Sequence, residues 1–188
     1  MSDKFRNKYR IPTTRLQNWD YSSNGYYFVT VCTKDKKEFF GEIANNEMCF
    51  SEIGKIVQKY WLEIPNHFPF VMLDEYKIMP NHVHGIVIIK NTDNNCRDVI
   101  NHVSTDNTDN LYSKITPMGK KSLGEIIRWY KGRTTYEIRK KYANFAWQSR
   151  FYDNIIRNEK EYYRIKQYIK NNPLNWETDR NNSEDLWI

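Results

Sequence analysis

The 188-residue sequence predicts an α+β fold. Three observations carry that expectation. Short segments rich in β-branched and aromatic residues lie between turn residues, two of them are split only by Pro80-Asn81, and three further stretches place apolar residues at helical spacing. Gly25–Thr33 reads GYYFVTVCT behind Ser-Ser-Asn-Gly and is expected as a strand. A shorter strand is expected over Glu47–Phe50, after the Asn45-Asn46 turn. Ser51–Leu62 has apolar positions at 53, 56, 57, 60 and 61, a helix with Ser51 as N-cap and Pro65 as its stop. Phe70–Met79 and His82–Lys90 form a hairpin about Pro80-Asn81. Helical spacing resumes over Ser122–Tyr142 and again over Glu159–Lys170. The order β-β-α-β-β, then α-α, gives a ferredoxin-like sandwich: an antiparallel sheet with helices on one side.

One domain over residues 1–188 suits this length. It is interrupted at 91–116, where six Asn and four Asp without apolar periodicity read as an inserted mobile loop. Fourteen Tyr, nine Phe and six Trp exclude a disordered chain, which is poor in rings. No apolar run reaches the roughly 18 residues of a membrane span, and the basic start has no signal-type apolar core. Cys32, Cys49 and Cys96 are scattered, as expected of thiols in a reducing cytoplasm.

The net charge of +6 is concentrated. Residues 1–16 hold Lys4, Arg6, Lys8, Arg10 and Arg15 against Asp3, and 118–170 holds fourteen Lys and Arg against five acids, or +9. Asn91–Thr116 and the tail after Trp176 are net acidic. Two basic regions interleaved with rings point to a polyanion, although a charged helix surface also serves solubility. The N-terminal arm and Arg128, Lys131, Arg133 and Arg139 are the candidates for holding a nucleic-acid backbone.

Of the four histidines, His82 and His84 flank one apolar residue at the start of a strand, so both rings share a face within reach of one cation. The same pair also fits two histidines hydrogen-bonded at a sheet edge. Metalloprotease spacing (H-E-x-x-H) is absent, and the chain is too short for a (β/α)8 hydrolase. Near the C-terminus, Tyr168 and Asn172 are spaced i,i+4 on one helix face, and Pro173 places Asn172 at the helix end. An amide oxygen there can ligate a hard cation and a tyrosine one turn away can face what it holds. An ordinary terminal helix ended by Asn-Pro has the same pattern.

Met79-Pro-Asn-His-Val-His-Gly-Ile-Val-Ile88 resembles the His-hydrophobic-His (HUH) motif of the single-tyrosine transposases of bacterial insertion sequences. Trp147-Gln-Ser-Arg-Phe-Tyr-Asp-Asn-Ile-Ile156 followed by Tyr168-Ile-Lys-Asn-Asn-Pro173 is similar to their REP-associated branch, REP denoting repetitive extragenic palindromes. The resemblance spans roughly Asn18–Trp176. It implies an HUH-endonuclease core, Tyr168 as nucleophile, and His82 and His84 as ligands of Mg²⁺ or Mn²⁺. Asn172 would be the third ligand, where the mobile insertion-sequence enzymes carry Gln; that departure bears on self-mobilisation rather than on strand cleavage. The implied activity is cleavage and rejoining of single-stranded or hairpin DNA through a 5′-phosphotyrosine, by a cytoplasmic monomer or homodimer. Two alternatives stay open: a domesticated, non-catalytic hairpin-binding protein, and a water-using phosphodiesterase in which Tyr168 is structural.

Overall fold

The computed structural model describes residues 15–16, 19–91, 121–179 and 181, with the backbone alone of 4–5 and 8–9. The two backbone pieces pair as a small ladder, β1 (Lys4–Phe5) with β2 (Lys8–Tyr9). The expected insertion lies outside the described residues, apart from Asn91.

The central sheet is antiparallel, built from β3 (Gly25–Cys32), β6 (Val71–Ile78), β7 (His82–Ile89) and β8 (Tyr152–Ile156) in the order β6-β7-β3-β8. Between β3 and β6 come a hairpin of β4 (Gly41–Ala44) and β5 (Glu47–Phe50), then α1 (Glu52–Leu62) and the one-turn α2 (Ile64–His67). Between β7 and β8 runs α3 (Leu123–Arg139), and α4 (Glu159–Asn171) closes the domain. The βαββαβ path with strand order 4-1-3-2 is the ferredoxin-like arrangement, with the β4–β5 hairpin inserted.

Local signals account for most boundaries. Ser51 Oγ accepts from Gly54 N–H at 3.0 Å, and Ser122 and Asn158 cap α3 and α4 in the same way. The Asn45-Asn46 turn has φ of 52° and 63°, a left-handed pair that Asn tolerates. Pro65 does not simply stop a helix: α1 ends at Leu62 and Pro65 sits in the first turn of α2, where its missing N–H costs nothing.

β8 was not expected. Its Asp153 and Asn154 lower strand propensity, but pairing with β3 and a partly buried ion pair from Arg15 Nε to Asp153 Oδ1 at 3.2 Å hold it in place. The helices are also not all on one side. α1 and α3 cover one face, packing Trp61, Ile126 and Tyr130 against Val29, Val83 and Val87. α4 takes the opposite face, where Ile165 and Ile169 meet Phe28, Ile86, Ile88 and Ile156. The reason is legible in β7, buried at every position: a strand apolar on both faces needs a cover on each. Among the described residues no helix is long and apolar enough to cross a membrane.

Candidate active site

The site lies on the face that α4 covers. In the ladder His84 pairs with Thr30 and His82 with Cys32, so both imidazoles leave the sheet on the same side. Both are fully buried, with ring centroids 4.3 Å apart. His82 Nδ1 lies 2.8 Å from Asn81 Oδ1, and Asn81 Nδ2 donates to the carbonyls of Lys36 (3.0 Å) and Asn181 (2.9 Å). That network turns the Asn81 oxygen to the ring, so His82 carries its proton on Nδ1 and its lone pair on Nε2. His84 Nδ1 is 2.9 Å from Thr30 Oγ1, which holds the second ring in its orientation. Outer partners of this kind orient histidines that bind metals.

α4 straddles β7. Toward β6 it sends Lys166, whose ammonium is 2.8 Å from Asp74, and Lys170, 3.5 Å from Glu75; the Tyr162 hydroxyl also donates to Asp74. Burial raises the Asp74 carboxyl, but the Lys166 ammonium and the Tyr162 hydroxyl outweigh it and hold it below its ordinary value. The same contacts raise the Lys166 ammonium and the Tyr162 hydroxyl. On its other flank α4 sends Tyr168 over β3. The ring is 5.2 Å from His84 and meets Phe28 edge-on at 6.1 Å, with the hydroxyl 3.2 Å from His84 Nε2.

One turn on, Asn172 is buried at 1 % exposure. Its Nδ2 donates to Asp179 Oδ2 at 2.7 Å, while its Oδ1 has no hydrogen-bond partner. The 3₁₀ segment Pro173–Thr178 carries the chain back, so that Asp179 Oδ2 reaches within 3.4 Å of the Tyr168 hydroxyl. One ligand atom each from His82, His84 and Asp179 lies within 4.8 Å of the others. An unpaired buried acceptor is unfavourable by roughly 1–3 kcal/mol, so the Asn172 oxygen is left open to a further donor or ligand. The two imidazole nitrogens and the carboxylate form a donor set that suits a divalent ion.

Asp179 is the residue that sequence reasoning missed; it stood only as one acid in the acidic tail. Asn81 and Thr30 were missed as supports. The expected nucleic-acid contacts are not gathered here. Arg15 is tied to Asp153 and lies over the rings of Tyr21 and Phe151. Arg6 and Arg10 fall outside the described residues, as do the side chains of Lys4 and Lys8. Arg128, Lys131, Arg133 and Arg139 ride on α3, behind the sheet from the histidines, because the apolar stripe of α3 belongs to the other core. Lys131 donates to the carbonyls of Gln148 (2.6 Å) and Arg150 (2.9 Å), and burial pushes its ammonium down to about 8. Arg133 pairs with Glu137 at 3.7 Å, and Arg139 donates to the Phe145 carbonyl at 2.9 Å.

An antiparallel ferredoxin-like sheet that offers two histidines from one strand to a tyrosine on a helix is the arrangement expected of the single-tyrosine HUH proteins. An uncharacterised Haemophilus influenzae protein is 40 % identical over 168 residues, covering 88 % of this chain and 89 % of its own. A second protein of that organism, provisionally named a REP-associated tyrosine transposase, is 23 % identical over 155 residues, covering 82 % and 73 %. The solved structure of a REP-associated tyrosine transposase bound to a REP hairpin superposes with a TM-score of 0.57 at 18 % identity, covering 87 % of this chain and 74 % of that one. No family model matches the chain. In fold the chain is similar to that REP-associated tyrosine transposase, and in sequence, more distantly, to the Haemophilus protein that bears the name.

Proposed function

We propose that this protein cleaves and rejoins single-stranded DNA beside a hairpin, with Tyr168 as nucleophile and a divalent cation, Mg²⁺ or Mn²⁺, in the site. The observation that carries the reading is the Tyr168 hydroxyl held at the His82–His84–Asp179 cluster, 3.2 Å from His84 and 3.4 Å from Asp179. The residues that would hold the cation are His82, His84 and Asp179, with the Asn172 amide oxygen as a further donor. When bound, such an ion polarises a phosphodiester and offsets the charge that builds on its oxygens.

The chain's own residues do the rest. A phenol is ordinarily protonated below about pH 10 and needs an acceptor to attack. Asp179 has two carboxylate oxygens, so one can hold the cation while Oδ2, 3.4 Å from the Tyr168 hydroxyl, takes its proton. The Tyr168 oxygen bonds to phosphorus, the bond to the 3′-oxygen breaks, and that oxygen takes up a proton from water and leaves as a 3′-hydroxyl. The resulting 5′-phosphotyrosine keeps the phosphodiester energy, so the reverse attack by a 3′-hydroxyl rejoins the strand without ATP. The hairpin carried by the structural relative supports a DNA hairpin as the partner, and the cytoplasm is the compartment where such DNA is met.

The test is a covalent adduct. Incubated with a REP-type hairpin bearing a single-stranded tail and Mn²⁺, the wild-type chain should form a denaturation-resistant complex that mass spectrometry maps to Tyr168. Tyr168→Phe should bind the hairpin and form none. An adduct on another tyrosine, or one that survives in the Phe variant, overturns the assignment.

A further inference from the structure

We infer that Tyr152, on the edge strand β8, is a stacking platform for a nucleobase next to the scissile phosphate. This rests on the reading of Tyr168 and the histidines as a DNA-cleaving site. The register places it: Thr30 is the ladder partner of His84 on one side and of Tyr152 on the other, so the three side chains stand in one row on the same face. Two strand spacings, about 10 Å, separate the Tyr152 backbone from that of His84. That is the span between a phosphate and the base of its own or the adjoining nucleotide. The Tyr152 and Tyr168 rings both meet Phe28 edge-on, at 6.3 Å and 69° and at 6.1 Å and 82°, one rising from the strand and the other descending from the helix. Phe28 is buried and stacks on His84 at 5.4 Å, which fixes both tyrosines relative to the histidines.

The two rings remain 44 % and 39 % exposed. Adjoining exposed rings form an apolar patch of the kind that marks an interaction site. The charge around this shelf favours a polyanion. Arg164 lies one turn before Tyr168, while Arg150 and Arg157 flank β8, and all three are exposed. Glu161, an acid on this flank of α4, accepts from Asn154 Nδ2 and the Arg157 backbone N–H and lies 3.9 Å from the Arg164 guanidinium. A ring platform beside guanidinium groups is how proteins hold single strands without reading sequence. Tyr136 is as exposed as any tyrosine here, at 61 %, but it sits on α3 behind the sheet and serves as the control.

The probe is a fluorescein-labelled DNA hairpin with a mixed-sequence single-stranded tail, alongside copies in which one tail nucleotide at a time is abasic; binding is read by anisotropy. Tyr152→Ala should weaken binding by about 5- to 150-fold, the range of one lost base stack. Tyr152→Phe, Tyr152→Trp and Tyr136→Ala should bind as the wild type does. At one tail position the abasic probe should cancel the penalty of Tyr152→Ala, which locates the base. Binding by Tyr152→Ala within about twofold of wild type overturns the platform. So does a Phe variant as weak as Ala, or an equal penalty at every abasic position. If those failures come with a normal adduct on Tyr168, only the platform falls. If the wild type neither binds the tail nor forms an adduct, the functional reading falls with it.

Discussion

Gly85 follows His84 directly on β7, and a methyl group there tests how the site hangs on the core behind it. A Cβ at Gly85 would lie 2.2 Å from Trp61 Cζ2 and 2.9 Å from Cη2. Carbon contacts are comfortable at about 3.5–4.0 Å, so either the indole or the strand must move by more than 1 Å, roughly. The indole has no room: it is fully buried, edge-on to Tyr130 at 5.3 Å and beside Tyr76 at 6.2 Å. Overpacking of this kind costs about 1–3 kcal/mol, against which the better strand propensity of Ala returns roughly 0.5–1 kcal/mol. A net loss near 1–2 kcal/mol lowers the Tm of a chain this size by about 2–8 °C. Thermal and urea denaturation of Gly85→Ala followed by circular dichroism measure the loss. Trp61→Phe shortens the ring at the clash, so the double variant should be more stable than the two single changes sum to. A Gly85→Ala protein that melts with the wild type, or single effects that simply add, would refute the close approach of β7 to α1.

The clamp between α4 and β6 should show in the acid limb of stability. The Asp74 carboxyl is held below its ordinary value in the fold, so its contribution is complete above the unfolded-state value and is lost as pH falls through the folded one. Asp74→Asn should flatten that limb and cost about 1–2 kcal/mol near neutrality; an unchanged urea midpoint from neutral to acid pH would refute it. Asp179→Asn should weaken Mn²⁺ binding by calorimetry at least about tenfold while His82→Ala nearly abolishes it, and equal affinities for wild type and Asp179→Asn would remove Asp179 from the ligand set.

Whatever depends on neighbours within a turn or two was legible in the residues. The Ser51 cap, the Asn45-Asn46 turn, the bounds of β3, β6, β7 and α1, and the shared face of His82 and His84 all follow from local sterics and from periods of 2 and 3.6. The i,i+4 pairing of Tyr168 and Asn172 is of the same kind. β8 was not legible, because its propensity is poor and its stability comes from β3 and Arg15, far away in sequence.

The amino-acid sequence by itself determined the α+β class, the histidine pair and the tyrosine helix, since each is written in a few consecutive turns of chain. Only the tertiary structure decided which face α4 covers, that Tyr168 meets His84 across 84 positions, and that Asp179 comes to lie beside both. It likewise sent the basic face of α3 behind the sheet. Each of these outcomes is set by which apolar stripe buries best against which sheet face, a free energy summed over the whole core and carried by no single segment.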